Sequence, residues 1–216
     1  MLAGGGPVPV DYLARAHALN LAVAQTYGMT ETSSQTATLA SEDAMRKIGS
    51  AGKPLFFNQI MIAEPNAKGE GEICIRGPPH VTPGYIGRFA QKNATKAGWL
   101  HTGDIGYVDE EGYLFVIDRR ADLIISGGEN IYPAEIENVL LTHPAVKEAG
   151  VCGMPDEQWG QVPIAFIVLN EQLSVEQLQA FCLQKLAKYK VPKEIIITDS
   201  LPRNGADKLL RRKLLQ

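Results

Sequence analysis

The sequence predicts two architectures in series: an α/β sheet carrying a small β-rich subdomain, followed by a compact α+β unit. Three observations carry that prediction. The first 25 or so residues run strand, glycine loop, helix, strand, the order of a parallel α/β unit. From Asn58 to Ile117 the apolar residues alternate or cluster at strand length between turn signals, as antiparallel strands do. Beyond Ala121 short helices and strands mix over about 95 residues, a usual size for a small domain.

Taken in order, Met1 to Val8 is a short apolar entry broken by Gly4-Gly5-Gly6-Pro7, a loop at a strand end that serves either as a linker or as backbone hugging a flat ligand. Asp11 to Leu19 has helical spacing at Tyr12, Leu13, Ala16 and Leu19, with Asp11 as its cap. Leu21 to Gln25 is expected as a buried strand that delivers Tyr27-Gly28-Met29-Thr30-Glu31-Thr32-Ser33-Ser34-Gln35. Lys47 to Phe56 is a Gly/Pro-rich structural loop. Strands are expected at Asn58–Ile62, Gly71–Arg76 and Tyr107–Ile117, the last folded over an Asp109–Gly112 hairpin turn, with Thr102-Gly103-Asp104 just ahead of it.

The stretch from Leu114 to Glu137 carries the organisation of the chain. A strand through Val116 and Ile117 runs into Asp118, Arg119, Arg120 and Asp122, and a second apolar run follows at Leu123–Ile125. A charged joint between apolar strands suits a domain boundary with a hinge. Gly127-Gly128 then makes a turn that lets another molecule approach the backbone. Pro133 opens a helix to Leu141, with proline in the first turn. Strands at Val146–Gly153 and Pro163–Leu169, a helix at Val175–Leu186 capped by Ser174, a strand at Glu194–Thr198 and a terminal helix at Leu209–Leu215 complete the list.

Composition narrows the classes. The chain has 216 residues, 45% apolar and 21% charged, with a net charge of −3, so it offers no electrostatic footprint for nucleic acid or an anionic membrane. No window approaches the ~18 apolar residues of a membrane span, and no signal-peptide pattern opens the sequence; a cytoplasmic location is expected. Cys74, Cys152 and Cys182 are odd in number and far apart, which suits buried thiols rather than disulfides or a metal site. His17, His80, His101 and His143 have no ligand spacing.

With the Tyr27–Glu31 stretch, Thr102-Gly103-Asp104, the charged joint, the glycine turn and the ending LPRNGADKLLRR, the chain resembles the acyl-adenylate-forming enzymes: acyl-CoA synthetases, luciferases and peptide-synthetase adenylation domains. The resemblance runs from about Gly4 to Gln216. It implies that a small-molecule carboxylic acid reacts with ATP, assisted by Mg²⁺, to give an acyl-adenylate, which CoA then converts to a thioester. It also implies roles. Gly4, Gly5, Gly6, Tyr27, Gly28, Thr30, Asp104, Arg119 and Lys208 belong to the nucleotide site: Tyr27 packs on adenine, Thr30 contacts the α-phosphate, and Asp104 holds the ribose diol with Arg119 in support. Glu31 helps hold Mg²⁺, and Lys208 joins Thr30 and Glu31 as catalytic. Gly127, Gly128 and Trp159 would face CoA, although a buried tryptophan anchoring two strands is an equal reading of Trp159.

By this resemblance residues 1–118 are the end of a large AMP-binding domain, with its β-rich subdomain at about 58–118. Residues 119–216 are a small mobile lid domain, with the hinge at 118–122. The YGMTETSSQ stretch and the KIGSAGKPLF loop look most like the branch that joins an aromatic dicarboxylic acid to CoA in menaquinone biosynthesis. Ser33, Ser34 and Gln35 would face that acid, or else simply cap or turn the next segment. The family's Ser/Thr/Gly-rich phosphate loop is not among these residues, so the expectation is a fragment that is weakly active or inactive alone. Asp207 stands where many members have glycine before the lysine, and Asp118 and Ala121 depart from the usual hinge. Loading of a carrier-protein thiol, ligation of another acyl or aryl acid to CoA, and non-catalytic nucleotide binding are the alternatives.

Overall fold

The computed structural model describes residues 1–6, 8–21, 23–77, 95–205 and 207–216, so His80 lies outside the described residues. Two compact units follow one another, Met1–Arg120 and Ala121–Gln216.

In the first unit, β1 (Leu2–Ala3) pairs in parallel with β2 (Ala24–Gly28), and α1 (Val10–Ala18) is the crossover between them. The parallel pattern stops there. β3 (Gln35–Thr38) and β4 (Lys53–Pro54) add antiparallel strands to the same sheet. Two expectations shift. Pro9 in extended conformation, not Asp11, precedes the helix: its carbonyl accepts from the Tyr12 and Leu13 N–H groups, leaving Asp11 in the first turn where its charge suits the helix dipole. The strand begins at Ala24 rather than Leu21, because pairing with β1 begins there; Leu21 is exposed.

The second sheet of this unit runs β5 (Gln59–Ala63), β6 (Gly71–Arg76), β8 (Trp99–Val108), β7 (Thr95–Lys96), with β9 (Leu114–Arg119) also on β8. Thr102-Gly103-Asp104 thus lies inside β8 rather than ahead of the hairpin. Gly103, at φ +73, lets the strand continue through an irregular register that a residue-by-residue pattern hides. A core of Tyr27, Ala37, Ala51, Ile73, Ile75, Leu100 and Leu114 draws on strands of both sheets. The loop at 47–54 clamps onto the β8–β9 hairpin: the Ser50 hydroxyl donates to Leu114 O at 2.8 Å, and the Lys47 ammonium meets Asp109 Oδ2 at 2.7 Å.

The second unit is built around an antiparallel hairpin of β12 (Val146–Asp156) and β13 (Gly160–Leu169), which follow β10 (Ile124–Ser126), β11 (Glu129–Ile131) and α2 (Pro133–Leu141) in the chain. β14 (Glu194–Ile197) lies parallel to β13 after α3 (Val175–Lys185). Ser174 caps α3 as expected, accepting from the Gln177 N–H while Gln177 reaches back. Both hairpin strands outrun the expected ends at Gly153 and Pro163, the pairing continuing through Met154–Val162 and Pro155–Gln161 to Asp156–Gly160. β12, which carries Pro155, is an edge strand, where proline is tolerated. The core holds Ile124, Ile131, Ile136, Leu140, Val151, Ile167 and Leu178. The expected terminal helix is only a 3₁₀ turn, Arg211–Lys213. Arg211 is drawn inward by the Glu137 and Asp122 carboxylates, and the Leu210 N–H is taken by Pro202 O. No helix among the described residues is long and apolar enough to cross a membrane.

Candidate functional site

In the first unit, three of the expected nucleotide residues meet. Asp104 on β8 and Arg119 on β9 are direct strand partners. Tyr27, near the end of β2, donates its hydroxyl to Asp104 Oδ2 at 2.7 Å, and Arg119 Nε lies 3.5 Å from Asp104 Oδ1. Asp104 is only 6% exposed. Burial and, second, the negative Asp104 push the Tyr27 phenol far above its usual value, so it stays a donor. A carboxylate accepts and never donates, and one already oriented by a phenol and a guanidinium is set to receive hydroxyl donors from a ligand.

Thr30 and Glu31 sit on a 3₁₀ turn, Thr30–Thr32, one residue beyond β2. Thr30 is exposed and Glu31 half-buried. The residue that shapes this turn is Thr32, which the sequence reading passed over. Its buried hydroxyl oxygen accepts from the Met29 N–H at 3.0 Å and lies 2.7 Å from Ser34 O. A carboxylate on a pinned turn beside a free-facing hydroxyl is a suitable oxygen ligand for a hard cation such as Mg²⁺. Gly28 has a steric cause: a Cβ there would lie 2.2 Å from Ser34 O, where β3 crosses at a bulge. Ser33 takes a left-handed φ of +59° and is exposed with Ser34, while Gln35 accepts from the Thr38 hydroxyl at 2.6 Å. Of the opening glycines, Gly4 is pressed against Thr26, Gly5 has φ +83°, and Gly6 has open space around it.

Behind Asp104 lies a group that sequence spacing alone did not reveal. His101 is the strand partner of Cys74. Its Nδ1 is 3.0 Å from Glu72 Oε2 and 3.5 Å from Cys74 Sγ. A carboxylate only accepts, which puts the proton on Nδ1. Glu72 Oε1 takes the Gly103 N–H at 3.1 Å, and Arg120 Nη1 lies 3.4 Å from Oε2. These three side chains could be taken for a metal cage. The Glu72 carboxylate also pairs with Arg120 and holds the Gly103 N–H, so the cluster fixes the residue before Asp104, and burial pushes the Cys74 thiol up to about 11.

In the second unit, Gly127-Gly128 is the two-residue turn between β10 and β11, with φ of +58° and +88° as a type I′ hairpin requires. Trp159 sits in the β12–β13 turn with its side chain over Gly127, whose N–H donates to Trp159 O at 2.8 Å. A Cβ at Gly127 would lie 2.8 Å from the indole. Trp159 is 50% exposed, so the reading of it as a buried anchor is wrong; a hairpin tip has too little around it to bury an indole. Asp156 shapes that tip by accepting the Gln158 and Trp159 N–H groups, each at 2.9 Å.

Lys208, also in the second unit, is exposed on a tight loop closed by the Arg203–Leu209 bridge. Its own N–H donates to Asn204 Oδ1 at 2.9 Å, and the Asn204 N–H to Lys208 O at 2.9 Å. Asp207 has φ +59°, a left-handed conformation that glycine adopts freely and aspartate tolerates. That explains the departure from glycine. Its carboxylate lies 3.7 Å from Arg203 Nε, a neighbour other than the Lys208 ammonium.

Two family models match the chain: AMP-binding enzyme over residues 1–86, and AMP-binding enzyme C-terminal domain over residues 135–208. Among curated proteins, the 2-succinylbenzoate–CoA ligase of Bacillus cereus (strain ATCC 10987) is 57% identical over 221 residues, covering 100% of this chain and 46% of the relative. That of Bacillus mycoides is 57% identical over 219 residues, covering 99% and 45%. Among solved structures, the o-succinylbenzoate CoA synthetase of Bacillus subtilis in complex with its acyl-adenylate intermediate gives a TM-score of 0.92 at 51% identity, covering 100% of this chain and 45% of the other. The same enzyme with ATP and magnesium ion gives 0.87 at 49%, with coverage of 100% and 46%. The chain therefore spans about half the length of the curated relatives it matches.

Proposed function

Because this chain belongs to the AMP-binding enzymes, we propose that it is the carboxyl-terminal portion of an ATP-dependent acid–CoA ligase whose acid is o-succinylbenzoate, acting in the cytoplasm in menaquinone biosynthesis. The observation that carries the reading is the Tyr27–Asp104–Arg119 cluster, a buried carboxylate oriented between a phenol and a guanidinium. In this reading residues 1–118 supply the end of the nucleotide-binding domain, residues 119–216 form a mobile lid, and 118–122 is the pivot.

Each residue then has a task. The Tyr27 ring, held by its own hydroxyl, offers a face to adenine, and Asp104 receives the ribose hydroxyls beside Arg119. Gly4, Gly5 and Gly6 let the nucleotide lie close to the backbone. Thr30 donates to the α-phosphate, Glu31 gives one oxygen to Mg²⁺, and Ser33, Ser34 and Gln35 face the acid. An acyl carboxylate oxygen attacks the α-phosphorus and pyrophosphate leaves, while the Lys208 ammonium offsets the charge that builds there. A preorganised cation placed where charge develops acts more strongly than it would in water. In the second step the CoA thiol passes the Gly127-Gly128 turn and Trp159. Its sulfur attacks the acyl carbon, and AMP leaves.

The test joins the amino-terminal portion of the Bacillus cereus relative ahead of Met1. Supplied with o-succinylbenzoate, ATP, Mg²⁺ and CoA, the chimera is expected to release pyrophosphate and AMP and form the thioester with no carrier protein present. Lys208→Ala is expected to lower pyrophosphate release by about 10²–10³. A folded chimera that releases no pyrophosphate with this acid would overturn the reading.

A further inference from the structure

The Lys208 loop is tied down on both flanks by arginines, and we propose that Arg211 is a positioning residue for Lys208: it locks the lysine loop to the charged joint at the start of the second unit. This inference rests on the ligase reading for what Lys208 does, but its structural half stands alone.

On the amino side of the loop, Arg203 Nη2 donates to Glu148 Oε2 at 2.6 Å, and its Nη1 to the backbone carbonyl of Asp207 at 2.7 Å. On the carboxyl side, Arg211 commits every guanidinium nitrogen. Nε and Nη2 donate to the two oxygens of Glu137 at 2.9 and 2.7 Å, a bidentate fork, and Nη1 donates to Asp122 Oδ2 at 2.8 Å. Glu137 lies on α2 and also accepts the Val151 N–H from β12 at 2.8 Å, so the fork is anchored to a helix and a strand at once. The Arg211 side chain is 14% exposed and that of Glu137 9%. Ion pairs this sheltered, with this geometry, hold orientation in a way that exposed pairs do not.

The third contact gives the device its meaning. Asp122 belongs to the 3₁₀ turn Arg120–Asp122, where the chain passes from one unit to the next. Between Lys208 and Arg211 stand only Leu209, bridged to Arg203, and Leu210, whose N–H is held by Pro202 O. The loop thus has little slack relative to the joint, and any turning of the second unit about that joint carries the Lys208 backbone with it. Displacing a catalytic group by about 1 Å can cost about 10²-fold in rate, so a loosened brace acts on the step that needs Lys208. The CoA step, assigned to Gly127, Gly128 and Trp159, lies elsewhere in the unit.

The experiment compares Arg211→Lys and Asp122→Asn in the chimera in two half-reactions: pyrophosphate release from acid and ATP, and thioester formation from preformed acyl-adenylate and CoA. Arg211→Lys keeps the charge and loses the fork; Asp122→Asn weakens one contact of three and serves if the lysine variant fails to fold. The expected result is a fall of about tenfold or more in kcat for the first half-reaction with the KM for ATP nearly unchanged, and a second half-reaction within about twofold of wild type. Parallel loss in both halves would mean a structural role only and overturn the proposal, as would no loss in either. Amide exchange in the 216-residue chain is read alongside. The Lys208 N–H is expected to exchange faster in Arg211→Lys while amides in the middle of α2 and α3 keep their protection. If the unsubstituted chimera makes no adenylate, the ligase reading falls and this exchange arm decides: unchanged protection at Lys208 ends the proposal too, and selective loss upholds the brace.

Discussion

The Tyr27 hydroxyl donates to Asp104 Oδ2 at 2.7 Å, joining the end of β2 to the middle of β8 across 77 residues of chain. One bond thereby sets both the face of the ring and the direction of the carboxylate. Tyr27→Phe keeps the ring and removes only the bond. Its stability in urea unfolding is expected to fall by about 1.5–3 kcal/mol, the range for a hydrogen bond to a charged group. Calorimetric titration with a stable acyl-adenylate analogue is expected to give a larger loss of affinity in Asp104→Asn than in Tyr27→Phe. Wild-type affinity in Asp104→Asn would remove Asp104 from the nucleotide site.

Stability is expected to decline at alkaline pH. Burial raises the Tyr27 phenol above its usual value of 10.0, and the Cys74, Cys152 and Cys182 thiols from 9.0 to about 11. Above pH 9 the unfolded chain releases thiol protons that the folded chain keeps, and above pH 10 the phenol proton as well. The unfolded state then binds fewer protons, so unfolding becomes easier as pH rises. The contribution is complete below pH 9 and drains away between about pH 9 and 11 for the thiols. Thermal melts across pH 8–11 check this, and Cys182→Ala is expected to flatten the decline. A Tm that holds steady over that window contradicts it.

Thr32→Val should disturb the turn that carries Thr30 and Glu31. It deletes a buried hydroxyl that serves Met29 and Ser34, leaving their backbone groups without it, at a cost of about 1–3 kcal/mol. Under the ligase reading, pyrophosphate release by the chimera falls with it, whereas Thr30→Val is expected to lower the rate with little change in unfolding midpoint. Equal midpoints for Thr32→Val and wild type would show that the turn is held by other means.

Gly127→Ala meets two obstacles, a positive φ and the indole of Trp159 2.8 Å from the new methyl. The left-handed conformation alone costs about 1–2 kcal/mol in a residue with a side chain. Trp159→Ala removes the clash and leaves the backbone strain, so the double variant is expected to be less destabilised than the two single effects added together. Additive losses in a double-mutant cycle would mean that the indole yields freely. In the chimera, either single change is expected to raise the KM for CoA more than that for ATP.

Where local chemistry decides, the chain is legible from its letters. Pro133 and the apolar spacing behind it give α2 its observed bounds, Ser174 with Gln177 gives the start of α3, and Gly127-Gly128 gives the hairpin. Where distant partners decide, it is not. Gly103 looks like punctuation but sits within a ten-residue strand, because Glu72 on β6 takes its N–H. His101 has no ligand spacing in sequence and finds Cys74 only through strand register. Arg211 looks like a solvated residue of a terminal helix until Glu137 and Asp122, 74 and 89 residues earlier, are seen to hold it. Tyr27 and Asp104 are both evident from their motifs; the bond between them is a product of folding.

Asp207 occupies its left-handed position directly ahead of Lys208 with no glycine needed. A sequence pattern that spells this signature with an obligatory G would discard chains whose loop follows the same path. What the lysine requires of its predecessor is a dihedral region, and aspartate or asparagine meets that requirement where a branched side chain does not. Surveys that score this signature by backbone tolerance rather than by letter should gather members that stricter spelling leaves out.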